Sequence, residues 1–318
     1  MLKRAAALSL LLLSTAALAA PAAAQGRRAA APAEPPKWDV NAPPGQTIRE
    51  VRIDTSEGTW MNLDVSPDGR SVAFDMLGDI YVMGIDGGTP RRLSSGLAFD
   101  MQPRFSPDGR QIVFTSDRGG GDNIWVMNAD GTALRAITNE SFQLLNAPVW
   151  SPDGRFIAAR KHFTTQRSLG TGEIWVYHVA GGGGVALVER PSPQFQKELG
   201  EPAFTPKGDG IYFSRDVTPG QIFEYAQNGN AEVFAIERYD IKPGERTKVA
   251  GGPGGAVRPT PSPDGKYLAY VHREREKSKL YLKDLRSGEE RKIYDSLDQD
   301  MQETWAVEGA YPNMDWTP

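Results

Sequence analysis

The 318-residue sequence contains no cysteine, so disulfides and thiolate chemistry are both closed to it and its stability rests on packing alone. Histidine is nearly as scarce. His162, His178 and His272 are the only three, none stands in a His-x-His or HExxH pattern, and they assemble no histidine-rich metal site. A basic excess is missing as well: the formal charge of −4 becomes −6 once Lys3 and Arg4 leave with the leader described below, which gives nucleic acid no partner. There is no Gly-x-Ser-x-Gly elbow. The runs "GGGD" and "AGGGGV" neither open a helix nor precede Lys-Ser/Thr, so they read as hairpin turns and not as phosphate loops. Asp and Glu are plentiful, yet no apolar pocket singles out an acid/base pair. No catalytic residue is assigned to this chain.

What the chain does have is turn chemistry: 34 glycines and 24 prolines in a composition that is otherwise globular. The first 24 residues join a basic start to the apolar run "AAALSLLLLSTAALAA" and small residues at Ala22 and Ala24, the pattern of a secretory signal cleaved before Gln25. Export to the bacterial periplasm or beyond is expected, with no stable membrane span. Residues 25–46 are Pro- and Ala-rich without periodicity and read as a linker. Residues 47–318 form the folded part.

Within it one turn recurs: "VSPDGR", "FSPDGR", "WSPDGR", "FTPKGD", "PSPDGK" and a final "WTP" place Ser or Thr at 66, 106, 151, 205, 262 and 317. The spacings of 40, 45, 54, 57 and 55 residues are the size of propeller blades. Proline presets φ at the first corner, aspartate bonds its own backbone and glycine takes the positive φ, so the motif is a structural turn. The second repeat shows the unit. "QPRF", "RQIVFTSD", "NIWVMN" and "ALRAIT" alternate as half-buried strands between three turns. The expectation is an all-β propeller of four-stranded antiparallel blades, with Val72, Phe74, Ile112, Phe114, Ile157, Ile211, Trp125, Trp175 and Phe234 in the seams. The count gives five complete blades and the first strand of a sixth, hence an incomplete ring and a chain belonging to a longer protein. The strand-like stretch 47–58 is expected as an outer strand closing the ring.

Chain reversal puts the first and third turns of each blade on one face of the disc, and the second turns and blade connections on the other. That second face carries the long excursions 160–173 and 215–232, where function concentrates on a rigid scaffold. Lys161, His162 and Arg167 lie in the first excursion, while Asp100, Asn146, Glu201 and Arg258 each stand just before a first strand, near the central channel. These seven are the candidate ligand- or partner-binding residues. A polar ring of this kind holds a cation or the polar end of a substrate, or it satisfies backbone groups at strand ends. His178 reads as an ordinary strand residue.

The repeats "(F/W)SPDG(R/K)x-I-x-F" and "IWVMNADG" resemble the TolB-type propeller over roughly residues 60–318. The non-repeat stretches "ARKHFTTQRSLGTGEIWVYHVAGGGG", "GGPGGAVRPTPSPDG" and "LDQDMQETWAVEGAYPNMDWTP" look like the amino-terminal propeller of large exported bacterial amidohydrolases. That resemblance implies a hydrolase whose divalent metal, zinc by the family's habit, sits in a domain beyond position 318, and leaves no cofactor for this chain. It also implies that the propeller's partner is that further domain. Two alternatives stay open: a TolB-like envelope module binding a peptide or envelope protein, and the propeller of a prolyl oligopeptidase-type peptidase.

Overall fold

The computed structural model describes residues 38–58, 61–164, 170–224, 227–275, 277–295, 297 and 313–318. The expected leader, most of the expected linker and Arg167 lie outside the described residues. Twenty strands form five separate four-stranded antiparallel sheets, each in simple chain order, and there is no helix among the described residues. Blade 1 holds β1 (Leu63–Val65), β2 (Ser71–Met76), β3 (Asp79–Gly84) and β4 (Gly87–Arg92). Blade 2 holds β5 (Asp100–Phe105), β6 (Gln111–Ser116), β7 (Asn123–Asn128) and β8 (Arg135–Ala136). Blade 3 follows with β9 (Leu144–Trp150), β10 (Phe156–Thr164), β11 (Gly170–His178) and β12 (Val185–Val188). Blade 4 is β13 (Leu199–Phe204), β14 (Gly210–Asp216), β15 (Phe234–Asp240) and β16 (Glu245–Ala250). Blade 5 is β17 (Ala256–Pro261), β18 (Tyr267–Glu274), β19 (Lys277–Asp284) and β20 (Glu290–Tyr294).

In blades 2–4 the second strands are apolar on both faces because a neighbouring sheet covers each side. In β6, Ile112 and Phe114 pack with Ala73 and Ile80 of blade 1, whereas Val113 joins Leu145, Trp150 and Ile157 of blade 3. Blade 3 repeats the alternation: Ile157 and Ala159 face blade 2, and Ala158 meets Leu199, Ile211 and Phe213 of blade 4. Tyr212 and Ile236 then meet Leu268 and Tyr270 of blade 5. Each fully buried side chain of this kind contributes roughly 1.5–3 kcal/mol, so the four seams hold the ring together. Of the expected seam residues, Val72, Phe74, Trp125 and Trp175 are only half-buried. Val72 and Phe74 lie on the face of blade 1 opposite Ala73, turned away from blade 2, and the two tryptophans sit on third strands, farther from the axis.

The recurrent turn is one hydrogen-bonded unit. In blade 2 the Ser106 hydroxyl donates to Asp108 Oδ1 (2.6 Å) and accepts from Gln111 N (2.9 Å), while Gly109 N donates to the Ser106 carbonyl (2.8 Å). The same bonds recur from Ser66, Ser151 and Ser262, and Asp68, Asp108 and Asp153 are held below the usual carboxylate range first by the serine hydroxyl. In "FTPKGD" the carboxylate moves two positions on, and Thr205 Oγ1 donates to Asp209 instead (2.6 Å). Gly109 adopts φ 69°, as the turn demands.

The turns also touch one another around the axis. A Cβ on Gly109 would lie 3.6 Å from Pro67, one on Gly154 3.8 Å from Pro107, one on Gly208 3.6 Å from Pro152 and one on Gly265 3.8 Å from Pro206. Gly69 of blade 1 faces Pro318 in the same way, at 3.1 Å. The final "WTP" therefore fills the turn position before blade 1. Asn313 N donates to Asn62 Oδ1 (3.2 Å), Asp315 Oδ2 accepts from Val65 N (2.8 Å) and Trp316 Nε1 donates to the Thr260 carbonyl (3.1 Å), so residues 313–318 stand between blade 5 and blade 1. Met314 packs beside Val257 and Val271 of blade 5.

Residues 47–58 differ from expectation. They enter no sheet, and Ile48, Val51 and Ile53 are exposed, because an alternating pattern becomes a strand only where a free sheet edge meets it.

Candidate functional site

The first strand of each blade lines the axis, and its sequence decides what the axis presents. Blades 2–5 share a bulge at an X-Pro step: Gln102, Ala147, Glu201 and Arg258 precede prolines and take φ of 58°, 50°, 56° and 60°. Proline supplies no ladder donor and the left-handed residue kinks the strand, which aims the residue's own polar groups at the neighbouring blade. Gln102 N donates to Asp75 Oδ2 (2.7 Å), Ala147 N to Gln102 Oε1 (2.6 Å) and Arg258 N to Glu201 Oε2 (2.7 Å). Asn62 and Asn313 take the corresponding places in blade 1 and in the terminal segment, and Arg258 Nη1 donates to Asn313 Oδ1 (2.9 Å). This layer closes the channel to a neck of about 10 Å³.

Two residues along, the channel widens on the face of the recurrent turns into a funnel of about 270 Å³ lined from every blade. Its charged groups are Asp64, Arg104 and Asp315. Arg104 Nη1 donates to Asp64 Oδ1 and Phe105 N to Asp64 Oδ2, both at 2.7 Å. Burial pushes the Asp64 carboxyl up to about 7, with Arg104 opposing and Asp315 reinforcing the shift. The sequence reading passed over this trio. Its signal was the repeated Asn-x-Asp of "MNLDV" and "PNMDW", in which each aspartate accepts from the backbone of the following blade.

The expected polar ring is not one site. Glu201 and Arg258 do meet, with Arg258 Nε 3.4 Å from Glu201 Oε1, and the Ser214 hydroxyl donates to Glu201. Asp100 stands two residues before the bulge, pairs with Arg118 and leaves Oδ1 buried without a hydrogen-bond partner among the described residues. Asn146 is one residue before the bulge, and its buried Oδ1 also lacks such a partner.

The excursion 160–173 is largely strand. β10 and β11 pair from Phe156↔His178 to Thr164↔Gly170. Neighbouring side chains then point to opposite faces. Lys161 binds Glu140 (2.5 Å) and lies 4.1 Å over the Trp175 ring, whereas His162 Nδ1 lies 2.9 Å from Arg160 Nη2, which also pairs with Glu198. Burial, then Arg160, pushes His162 down to about 4, so its imidazole is neutral at pH 7. Burial raises Glu198 against the pull of Arg160. His178 is a strand residue edge-on to Phe156. The excursion 215–232 folds back on the blade connection: Gln196 N donates to the Gln221 carbonyl and Lys197 Nζ to Thr218 Oγ1 (2.5 Å). Among the described residues no group of three His, Asp or Glu side chains is placed to hold a metal ion.

Five radial four-stranded sheets, a polar axial neck and a ring of recurrent tight turns define a five-bladed β-propeller. Residues 46–171 match the PD40 family, the TolB beta propeller domain. Among solved structures, a TolB from Agrobacterium tumefaciens superposes with a TM-score of 0.59 at 19% identity, over 74% of this chain and 80% of that one. TolB from Acinetobacter baumannii gives 0.55 at 19% identity, over 76% and 53%. At these identities the likeness is one of fold. By sequence, an uncharacterized protein of Agrobacterium fabrum is 41% identical over 81 residues, 24% of this chain and 28% of its own length. Tricorn protease homolog 1 of Streptomyces coelicolor is 32% identical over 92 residues, 29% of this chain and 9% of its own. The matched segments thus span less than a third of these relatives.

Proposed function

We propose that this chain is the propeller region of a longer exported hydrolase of the amidohydrolase type, serving as scaffold and substrate-access or docking module while a further domain performs the chemistry. The observation that carries the reading is the axial funnel. Every blade contributes to it, it narrows to a neck at the bulge layer, and it presents Asp64 paired with Arg104 and within reach of the Asp315 charge, a polar patch suited to a polar chain end. The non-repeat stretches that resemble exported amidohydrolases support the choice of hydrolase class, and the protease named among the sequence relatives supports a hydrolytic setting. The basic start and apolar run of residues 1–24 support export to the periplasm or beyond. The divalent metal of such an enzyme belongs to the further domain. Among the described residues no helix is long and apolar enough to cross a membrane.

Sequencing the gene past the codon for Pro318 tests this. A barrel-like region with a His-x-His motif is the expected result. A Gly-x-Ser-x-Gly elbow there would replace the reading with a prolyl oligopeptidase-type peptidase, and a stop codon within one blade's length would replace it with a stand-alone TolB-like binding module.

A further inference from the structure

The repeated fold offers an internal comparison. On the face of the recurrent turns, a groove lies between the outer strands of one blade and the first and third turns of the next, and it occurs at three seams. Between blades 1 and 2 it measures about 460 Å³, with Arg91, Asp68 and Asp108 as its charged residues. Between blades 3 and 4 it measures about 360 Å³, is mostly apolar, and carries Lys207 and Asp153. Between blades 4 and 5 it measures about 750 Å³ and gathers Arg238, Lys248, Lys266, Lys283 and Arg286 around one carboxylate, Asp284. The blade architecture is the same at all three seams, so it does not call for this charge.

Four of the five cations are paired with carboxylates that do not line the groove. Asp284 is occupied by its own turn, accepting from the backbone N–H of Arg286 and Ser287, both at 2.8 Å. Arg238 pairs with Asp240 (2.7 Å) and Asp209 (3.3 Å), Lys283 with Glu290 (2.9 Å), Lys266 with Asp264 (2.8 Å), and Lys248 with Glu232. Several of these are solvent-exposed pairs, Lys266 and Asp264 most of all, and a multivalent anion competes readily for such cations. The Arg286 guanidinium, exposed on its turn, makes no ion pair or side-chain hydrogen bond among the described residues. Tyr212, Tyr267 and Leu285 give the groove apolar walls, and its volume suits a small ligand.

We propose that the groove between blades 4 and 5 binds a small ligand bearing tetrahedral oxyanions, of the phosphate type, held by Lys266 and Arg286 at its mouth and by Arg238 and Lys283 deeper in. Pyrophosphate is the probe, titrated calorimetrically into the purified chain at low and moderate salt. Binding is expected, weaker at higher salt. The double variant Lys266→Gln/Arg286→Gln should weaken it about tenfold or more, since each charge-assisted bond is worth that order. Arg110→Gln, at the position of Lys266 in the turn of blade 2, should leave it unchanged.

Sedimentation with phosphatidylglycerol vesicles separates the sources. Co-sedimentation lost in the double variant assigns a lipid headgroup, and pyrophosphate binding without co-sedimentation assigns a soluble phosphate compound. No pyrophosphate binding at about 10 mM, where even a millimolar site would fill, overturns the proposal, as does equal weakening by Arg110→Gln.

Discussion

Replacing Asp64 with asparagine removes the titrating carboxyl of the axial funnel while keeping its shape. In the native chain both oxygens accept hydrogen bonds, from Arg104 and from Phe105 N, yet burial outweighs these and raises the group from 3.8 to about 7. The folded state therefore holds this proton more tightly than the unfolded chain does. Its contribution is fully present below the unfolded value near 4 and drains away as pH rises towards 7. About three pKa units at 1.36 kcal/mol each give a change of about 4 kcal/mol across that window. Urea melts of the native chain and of Asp64→Asn, between pH 4 and pH 8 at fixed ionic strength, read the difference directly. Relative to the variant, the native chain should lose about 4 kcal/mol over that range. Parallel profiles, or a native chain that gains on the variant as pH rises, would refute the reasoning and show that Arg104 outweighs burial.

Other outcomes follow from single contacts. Ser106→Ala leaves Gln111 N without its side-chain acceptor and leaves Asp108 with only the Arg110 N–H, so the urea midpoint should fall by the equivalent of about 1–2 kcal/mol. Glu201→Ala takes the carboxylate from a pair with Arg258 in which both side chains are at most 5% exposed, and should cost about 3–5 kcal/mol by the same assay. His162 is depressed to about 4, so folding favours its neutral form: the stability it contributes is present above about 6.5 and is lost as pH falls towards 4. Its ring resonances in an NMR titration should accordingly stay those of a neutral imidazole at pH 5.5, and an unshifted midpoint would contradict the burial argument.

The blades were legible in the sequence because each turn is local: Ser, Pro, Asp and Gly lie within four residues and bond chiefly to one another or to the two residues that follow. "NIWVMN" became β7 residue for residue, since a strand bounded by two such turns has little room to slip. Stretch 47–58 failed for the opposite reason. Its alternation describes a surface, and only a neighbouring edge turns such a surface into a strand. The polar positions differ in their offset from the turn: the kinked pre-proline residues Gln102, Ala147, Glu201 and Arg258 each lie four residues before the turn Ser or Thr, whereas Asp100 and Asn146 lie six and five before it. Arg104 acquires its role only through Asp64, 40 residues earlier in the chain, a distance that no local pattern spans.

The central claim is that the sheets pack radially and that residues 313–318 occupy the position between blade 5 and blade 1. Because the chain has no cysteine, an engineered pair reports on this without background. Asn62 and Asn313, 251 residues apart in sequence, meet in the axial layer. In Asn62→Cys/Asn313→Cys, mild oxidation should give an intramolecular disulfide in the folded monomer, seen as a fast-migrating band on a non-reducing gel and absent from either single variant. If the folded double variant instead keeps two free thiols, or links only between molecules, the radial arrangement is contradicted.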